Sequence, residues 1–428
     1  MKHHKAIWLG GGVILVFLSF FLLNHANVLK ADTSEIYPQL EKFTDCLGII
    51  EQNYVEDVPP EKLIEGAIKG MVSVLDPHSA YLTKEGYKEM QISTTGSFGG
   101  LGIEIGIRDD VLTVITPIEG TPAFDAGILP GDKIIKIEGE STTDMTLEDA
   151  VKLLRGPKGS KVTITIFRES EKTPFDITIT RAIIHIQSVK SDMLEAGYGY
   201  IRVRNFQVDT AEDIYNALEE MGPLKGLILD LRYNPGGLLD QAIAVSDLFL
   251  SEGKIVYTDG RKPEDKTEYI AQKEGTFDDF PMVVLINGGS ASAAEIVSGA
   301  LQDNKRAVVV GVKSFGKASV QTIRPLNDGS AIKLTVARYY TPSGRSIQAT
   351  GIEPDIWIEQ TLPAKEENNS QKFIREKDLK DHLEPAPEET EELLEGSVHE
   401  LLKKDNQLKY GLDLLKSWEV FTWSKKAA

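Results

Sequence analysis

The 428-residue chain has one cysteine, Cys46, so it can form no intrachain disulfide and has no paired cysteines to hold a structural zinc. Its seven histidines are scattered and none fall into an H-E-x-x-H spacing, so no metal ligand and no cofactor is expected. Basic residues are also in deficit. With 47 Lys and Arg against 65 Asp and Glu, the net charge of −18 lacks the basic stripe of a nucleic-acid binder. No nucleic-acid partner is expected. An apolar run long enough to approach a membrane span occurs at Ala6–Leu23, behind the basic flank Met1-Lys2-His3-His4-Lys5. Its length is near the lower limit for a spanning helix and long for a signal-peptide core. Neither Asn24-His25-Ala26 nor Leu29-Lys30-Ala31 makes a good small-x-small cleavage site. The segment reads as an uncleaved signal anchor in preference to a cleaved signal peptide. Basic residues before the span put the short N-terminus in the cytoplasm and the body outside, in a periplasm or cell envelope.

An apolar content of 41% supports sizeable cores, and the length suits two to three domains. The texture divides the chain into a targeting segment (1–30), an N-terminal helical region (31–96), a stretch of short strands and turns (97–183), an alternating β/α region (184–360) and an acidic linker with a C-terminal amphipathic helix (361–428). The first helical region stops at Asp76-Pro77-His78-Ser79, because proline cannot continue the ladder. Beside that proline, His78 reads as a capping or structural histidine. In the short-strand region, the glycine-rich turn Gly100-Leu101-Gly102-Ile103 leads into a strand. Such a turn exposes amides able to hold a carboxylate, and a strand edge can pair with an incoming peptide. A dinucleotide reading fails, since Ile105 replaces the third glycine and no helix follows.

Three motifs compete around Lys317. Gly311-Val312-Lys313-Ser314-Phe315-Gly316-Lys317-Ala318 nearly spells a phosphate-binding loop, but Ala318 lacks the hydroxyl that would hold Mg²⁺. The following β-branched residues also end at Pro325 without a helix. Ser314-Phe315-Gly316-Lys317 matches S-x-x-K, which needs a helical turn that glycine disfavours, and its companion S-D-N and K-T-G elements are absent. The third pairing is Ser292 with Lys317. Ser292 lies in Asn287-Gly288-Gly289-Ser290-Ala291-Ser292-Ala293-Ala294-Glu295, between an apolar strand and a helix. A strand-to-helix turn presents the hydroxyl and aims the next amide, that of Ala293, into the site. A second oxyanion donor is expected from Gly236 or Gly237 of Asn234-Pro235-Gly236-Gly237, at another strand end. Each residue alone has a plainer reading, as a helix cap or a solvated lysine.

Several motifs in order make this chain resemble the C-terminal processing peptidases, tail-specific serine proteases. They are Leu75-Asp76-Pro77-His78-Ser79-x-Tyr81-Leu82, Asp230-Leu231-Arg232-x-Asn234-Pro235-Gly236-Gly237, the Ser-Ala-Ser-Ala block ending in Glu295, Gly311-x-x-Ser314-Phe315-Gly316-Lys317-x-x-x-Gln321, and Tyr340-Thr341-Pro342-Ser343-Gly344-Arg345-x-Ile347-Gln348 with Gly351-Ile352-x-Pro354-Asp355. The likeness runs from about residue 40 to 356 and departs at Ala294, where many relatives carry serine.

The resemblance implies an α/β protease core of crotonase/ClpP-like type, with an inserted PDZ β-sandwich or barrel at 97–183 and helical N- and C-terminal regions. It implies Ser292 as nucleophile, Lys317 as general base and Gln321 as the residue orienting the lysine. It makes Gly100, Leu101, Gly102 and Ile103 the loop that binds a peptide carboxylate, and gives Arg155 a role in coupling the PDZ domain to the core. The implied partners are protein or peptide substrates with apolar free C-termini. A membrane contact through the anchor, an adaptor protein and homo-oligomer assembly are compatible with it.

Overall fold

The computed structural model describes residues 36–361, 402 and 404–426, so the expected anchor and nearly all of the expected acidic linker lie outside the described residues. The chain forms two compact units, Met1–Val74 and Leu75–Ala428. In the first, α1 spans Ile36–Asn53 and α2 spans Pro60–Ser73. Proline suits the start of α2, where its missing N–H has no intrahelical partner to lose. Helix α1 leaves Ile36, Tyr37, Leu40, Phe43, Ile49 and Ile50 exposed.

The second unit opens with β1 (Ala80–Leu82), α3 (Lys84–Thr95, capped by Thr83), β2 (Ser97–Gly100) and β3 (Ile103–Arg108). It continues through β4 (Val111–Pro117), α4 (Pro122–Asp125), β5 (Lys133–Ile137), β6 (Glu140–Ser141), α5 (Leu147–Leu154), β7 (Lys161–Phe167) and β8 (Phe175–Thr180). Strands β3-β4-β5-β7-β8 form one sheet, with β6 beside β5. Strand alternation builds its core: along β7, Val162, Ile164 and Ile166 are buried while the threonines between them face outward. β9 (Ala182–His185) then pairs antiparallel with β2, so the strands entering and leaving this domain lie side by side.

The remaining elements are β10 (Val189–Glu195), β11 (Tyr198–Val203), α6 (Thr210–Met221), β12 (Gly226–Asp230), α7 (Leu239–Asp247), β13 (Lys254–Gly260), β14 (Thr267–Ile270), β15 (Met282–Ile286), α8 (Ala293–Asp303), β16 (Ala307–Gly311), β17 (Ser319–Pro325), β18 (Ala331–Tyr340), β19 (Ile356–Trp357) and α9 (Asn406–Lys426). A six-stranded sheet runs β10-β11-β12-β15-β16-β19, parallel from β11 onward. Both faces are covered, which explains the unbroken apolar runs at 226–229 and 282–286. Leu227, Leu229, Met282 and Val284 pack with α6, α7 and α8. The alternate residues Ile228, Val283 and Leu285 pack with Leu408, Leu412 and Leu415 of α9. A second sheet has the order β1-β18-β13-β14, with β17 also paired to β18.

The C-terminal helix does more than cover a face. Arg232 is buried at the end of β12, and its guanidinium meets Asp230 at 2.6 Å, Asp405 at 2.7 Å and the Gln407 oxygen at 2.9 Å. Burial alone would raise the Asp230 carboxyl, but Arg232 outweighs it and holds the group below the usual carboxylate range. Asp405→Ala leaves Arg232 paired with Asp230 but orphans guanidinium donors in the interior, and is expected to destabilise the protein by about 1–3 kcal/mol, read as a drop in denaturation midpoint; an unchanged midpoint would show the contact to be inert.

Candidate active site

Two strand-end loops meet on one carboxylate. β15 ends at Asn287, whose side-chain oxygen accepts from Tyr233 N (2.9 Å) and Gly289 N (3.0 Å). Ser290 closes the next turn, donating through its hydroxyl to Leu231 O (2.8 Å) and accepting from Asn287 N. The turn then delivers Ser292 at φ 52°, ψ −113°, a conformation that costs a non-glycine residue of order 1–3 kcal/mol. Helix α8 follows immediately and is buried through its first three turns. Ser292 itself is only partly buried.

Lys317 lies beyond the end of β16, in a loop that is hydrogen-bonded at almost every residue. Ser314 exchanges bonds with Ile352, Phe315 N donates to Ser290 O, and Ala318 N donates to the Gln348 oxygen. The Gln348–Ile352 segment thus props up the lysine loop. Glu295, one helical turn beyond Ser292, joins the two loops. Its Oε2 accepts from Ser292 N (2.8 Å) and Lys317 N (2.9 Å), and its Oε1 accepts from Ser314 Oγ (2.5 Å) and Gly316 N (2.8 Å). Burial pushes this carboxyl up to about 7, against the pull of those donors. The buried Tyr339 hydroxyl adds a second joint, since it reaches both Ser292 O (3.0 Å) and Lys317 O. The sequence reading gave neither residue a role. Glu295 had left a signal, because Ser292-x-x-Glu295 is a capping-box spacing.

The Asn234-Pro235-Gly236-Gly237 loop lies against the same turn. A Cβ on Gly236 would come within 2.8 Å of Ser292 Cβ, and one on Gly237 within 2.2 Å of Phe206 O. With φ of 104° and 147°, both positions require glycine. The two expected oxyanion donors are not equivalent. Gly236 N already donates to Asn234 Oδ1 (2.8 Å), whereas no hydrogen bond among the described residues engages the amides of Gly237 and Ala293. Gln321 lies on β17, where its amide nitrogen donates to Ser319 Oγ (2.8 Å) and Thr335 Oγ1 (3.4 Å).

In the small domain, Gly102 O accepts from Ile118 N and from the Thr121 hydroxyl, fixing the turn before β3. Gly100 and Leu101 are buried, and Ile103 begins β3, which is the edge strand of its sheet. Arg155, at the end of α5, does not reach the Ser292 loop in this structure. It grips Glu89 of α3 (2.6 and 2.8 Å) and lies over the Phe98 ring at 4.5 Å.

The sequence profile of Peptidase family S41 matches residues 197–358, a PDZ domain profile matches 113–168, and the profile of the activating protease CtpB N-terminal domain matches 22–86. A carboxy-terminal-processing protease of Bartonella bacilliformis is 48% identical over 357 residues, 82% of each chain. This chain belongs to the carboxy-terminal processing proteases of peptidase family S41. The carboxy-terminal processing protease CtpA of Bacillus subtilis is 37% identical, over 81% of this chain and 75% of the relative. The photosystem II D1 C-terminal processing protease is a solved structure of 30% identity, covering 74% of this chain and 92% of that one, with a TM-score of 0.43. A carboxy-terminal processing protease of this family is a serine peptidase, here with an S41 core and a PDZ domain. Among the described residues no cluster of His, Cys, Asp and Glu could hold a metal ion, and no helix is long and apolar enough to cross a membrane.

Proposed function

We propose that this protease captures free C-terminal tails of extracytoplasmic proteins in its PDZ groove and cleaves them through a Ser292–Lys317 acyl-enzyme mechanism. The observation that carries the reading is the Glu295 carboxylate, which holds the backbones of both residues at one point. Serine is a weak nucleophile until a base takes its proton, and a neutral amine can be that base. Lys317 must then give up its charge, so its amine has to release its proton well below the ordinary lysine range. Ser292 Oγ attacks the scissile carbonyl as its proton passes to Lys317 Nζ. The oxyanion develops against the amides of Ala293 and Gly237, which have no competing acceptor among the described residues. The lysine returns the proton to the leaving amine, the ester remains on Ser292, and water activated by the same lysine releases it.

Gln321 serves the lysine through its carbonyl oxygen, giving direction without charge. A carboxylate there would favour the ammonium form. Gln321→Glu is accordingly expected to move the acid limb of the kcat/KM profile to higher pH; an unmoved limb would remove Gln321 from the base. Substrate tails would add along the free edge of β3, with the carboxylate held by the 100–103 loop and Arg155 relaying occupancy to the core. The core is read as crotonase/ClpP-like. The run Ala6–Leu23 supports a membrane anchor and an extracytoplasmic site, and the exposed apolar residues of α1 support homo-oligomer assembly, with an adaptor compatible with both. The test is incubation with an unfolded protein ending in Ala-Ala, with cleavage sites located by mass spectrometry. Fragments that begin at the tail and vanish with Ser292→Ala are expected; cleavage indifferent to a blocked C-terminus would overturn tail capture.

A further inference from the structure

The Asp76-Pro77-His78-Ser79 turn takes no part in the chemistry above, yet it is bonded to the strand facing Gln321. Asp76 Oδ1 accepts from His78 N (2.8 Å), Ser79 N (2.9 Å) and Thr335 Oγ1 (3.1 Å), while Oδ2 accepts from Ser79 Oγ (2.7 Å). The backbone bonds suffice to close the turn. The bond from Thr335 is not needed for that, and Ser79 Oγ adds another by accepting from Thr335 N (3.1 Å). On the other edge of β18, the register with β17 slips between Val320 and Gln321, so that Gln321 faces Thr335 instead of Val336. Such a bulge re-aims a side chain. Here it brings the Gln321 amide nitrogen to Thr335 Oγ1.

Proton counting gives this chain a direction. An ionised carboxylate only accepts, and a threonine hydroxyl has a single proton. Burial would raise the Asp76 carboxyl, but the bonds from Ser79, His78 and Thr335 outweigh it and keep the group below its ordinary value. The Thr335 proton is therefore committed to Asp76, and its oxygen can only accept from Gln321. That turns the glutamine NH₂ towards Thr335 and its carbonyl oxygen away. Ser319 cannot impose this, because its hydroxyl can donate or accept. The polarity matters to a neutral amine, which has one lone pair. A carbonyl oxygen takes an N–H of the lysine and leaves the lone pair for the serine proton, whereas an NH₂ group would donate into the lone pair and block it. We infer that Asp76 and Thr335 are positioning residues that fix the amide polarity of Gln321 so that the lysine lone pair stays available. This rests on the Ser292–Lys317–Gln321 reading.

The test compares Thr335→Val, isosteric but without the hydroxyl, with Thr335→Ser in the full chain, using a peptide with a free Ala-Ala terminus. Thr335→Val should lower kcat by about 10²-fold with KM within about twofold of wild type, and Thr335→Ser should restore most of the rate. Gln321→Ala should lower kcat as well, and adding Thr335→Val to it should cost nothing more. Should Thr335→Val fail to fold, Thr335→Ala makes the same comparison. A wild-type rate in Thr335→Val, no rescue by serine, or a further multiplied loss in the double variant overturns the inference. Failure of the underlying reading shows separately, as activity retained in Lys317→Ala or Gln321→Ala.

Discussion

Ser292→Ala is expected to lose peptide cleavage by at least about 10⁴-fold, because covalent catalysis fails outright without its nucleophile. Lys317→Arg should be as damaging although it keeps the positive charge. A guanidinium stays protonated at any working pH and cannot accept the serine proton. The two variants together separate a base from an electrostatic role, since a lysine that merely stabilised the oxyanion would tolerate arginine. Single-turnover assays that follow acylation would read the difference directly. An active Lys317→Arg enzyme would end the general-base assignment, and an active Ser292→Ala enzyme would end the serine mechanism.

Removing the Glu295 carboxylate should be nearly as severe, through both stability and rate. Glu295→Ala would orphan the amides of Ser292, Gly316 and Lys317 and the Ser314 hydroxyl, at about 1–3 kcal/mol each. The loops would also lose their common anchor, and a misplacement of about 1 Å costs on the order of 10²-fold in rate. Glu295→Gln keeps the shape but turns an NH₂ group towards partners that all donate. The comparison is also pH-dependent. Burial places the folded carboxyl at about 7, above its ordinary 4.5, so the folded protein binds an extra proton between those values. Wild-type stability relative to Glu295→Gln should therefore be greatest near pH 4.5 and fall as pH rises to about 7, by at most about 3 kcal/mol. Paired denaturation curves across that range would show it; a difference flat in pH would mean that the carboxyl titrates elsewhere.

Much of this architecture was legible because its signals are local. Buried strands announce themselves as apolar runs at 226–229 and 282–286, and the glycines at 236 and 237 mark a close backbone approach. Ser292 and Lys317 stand out as candidates because each follows such a strand. What stayed hidden depends on pairing at long range. No pattern around Asp405 announces that it will meet Arg232, more than 170 residues away in sequence. Nor does a propensity reveal the register slip that sets Gln321 opposite Thr335. Glu295 fell between these cases: its spacing from Ser292 says helix cap, but its second set of partners comes from another strand end. Nothing in the sequence separates Gly236 from Gly237 as donors; the Asn234 side chain does so in the fold by taking the Gly236 amide.

The α9 contact also bears on the order of events during synthesis. The residues of β11, β12, β15 and β16 that face Leu408, Leu412 and Leu415 emerge from the ribosome well before the helix that covers them. Until then the nascent core shows water an apolar sheet face, and Arg232 lacks Asp405 and Gln407. Domains tend to fold as they are made, N-terminal parts first, and bare sheet faces are prone to aggregate. The loop that carries Gly236 and Gly237 begins two residues after that arginine, so its support would be complete only when α9 docks. On that order of events, a peptide-cleaving centre would be assembled only after α9 has been made.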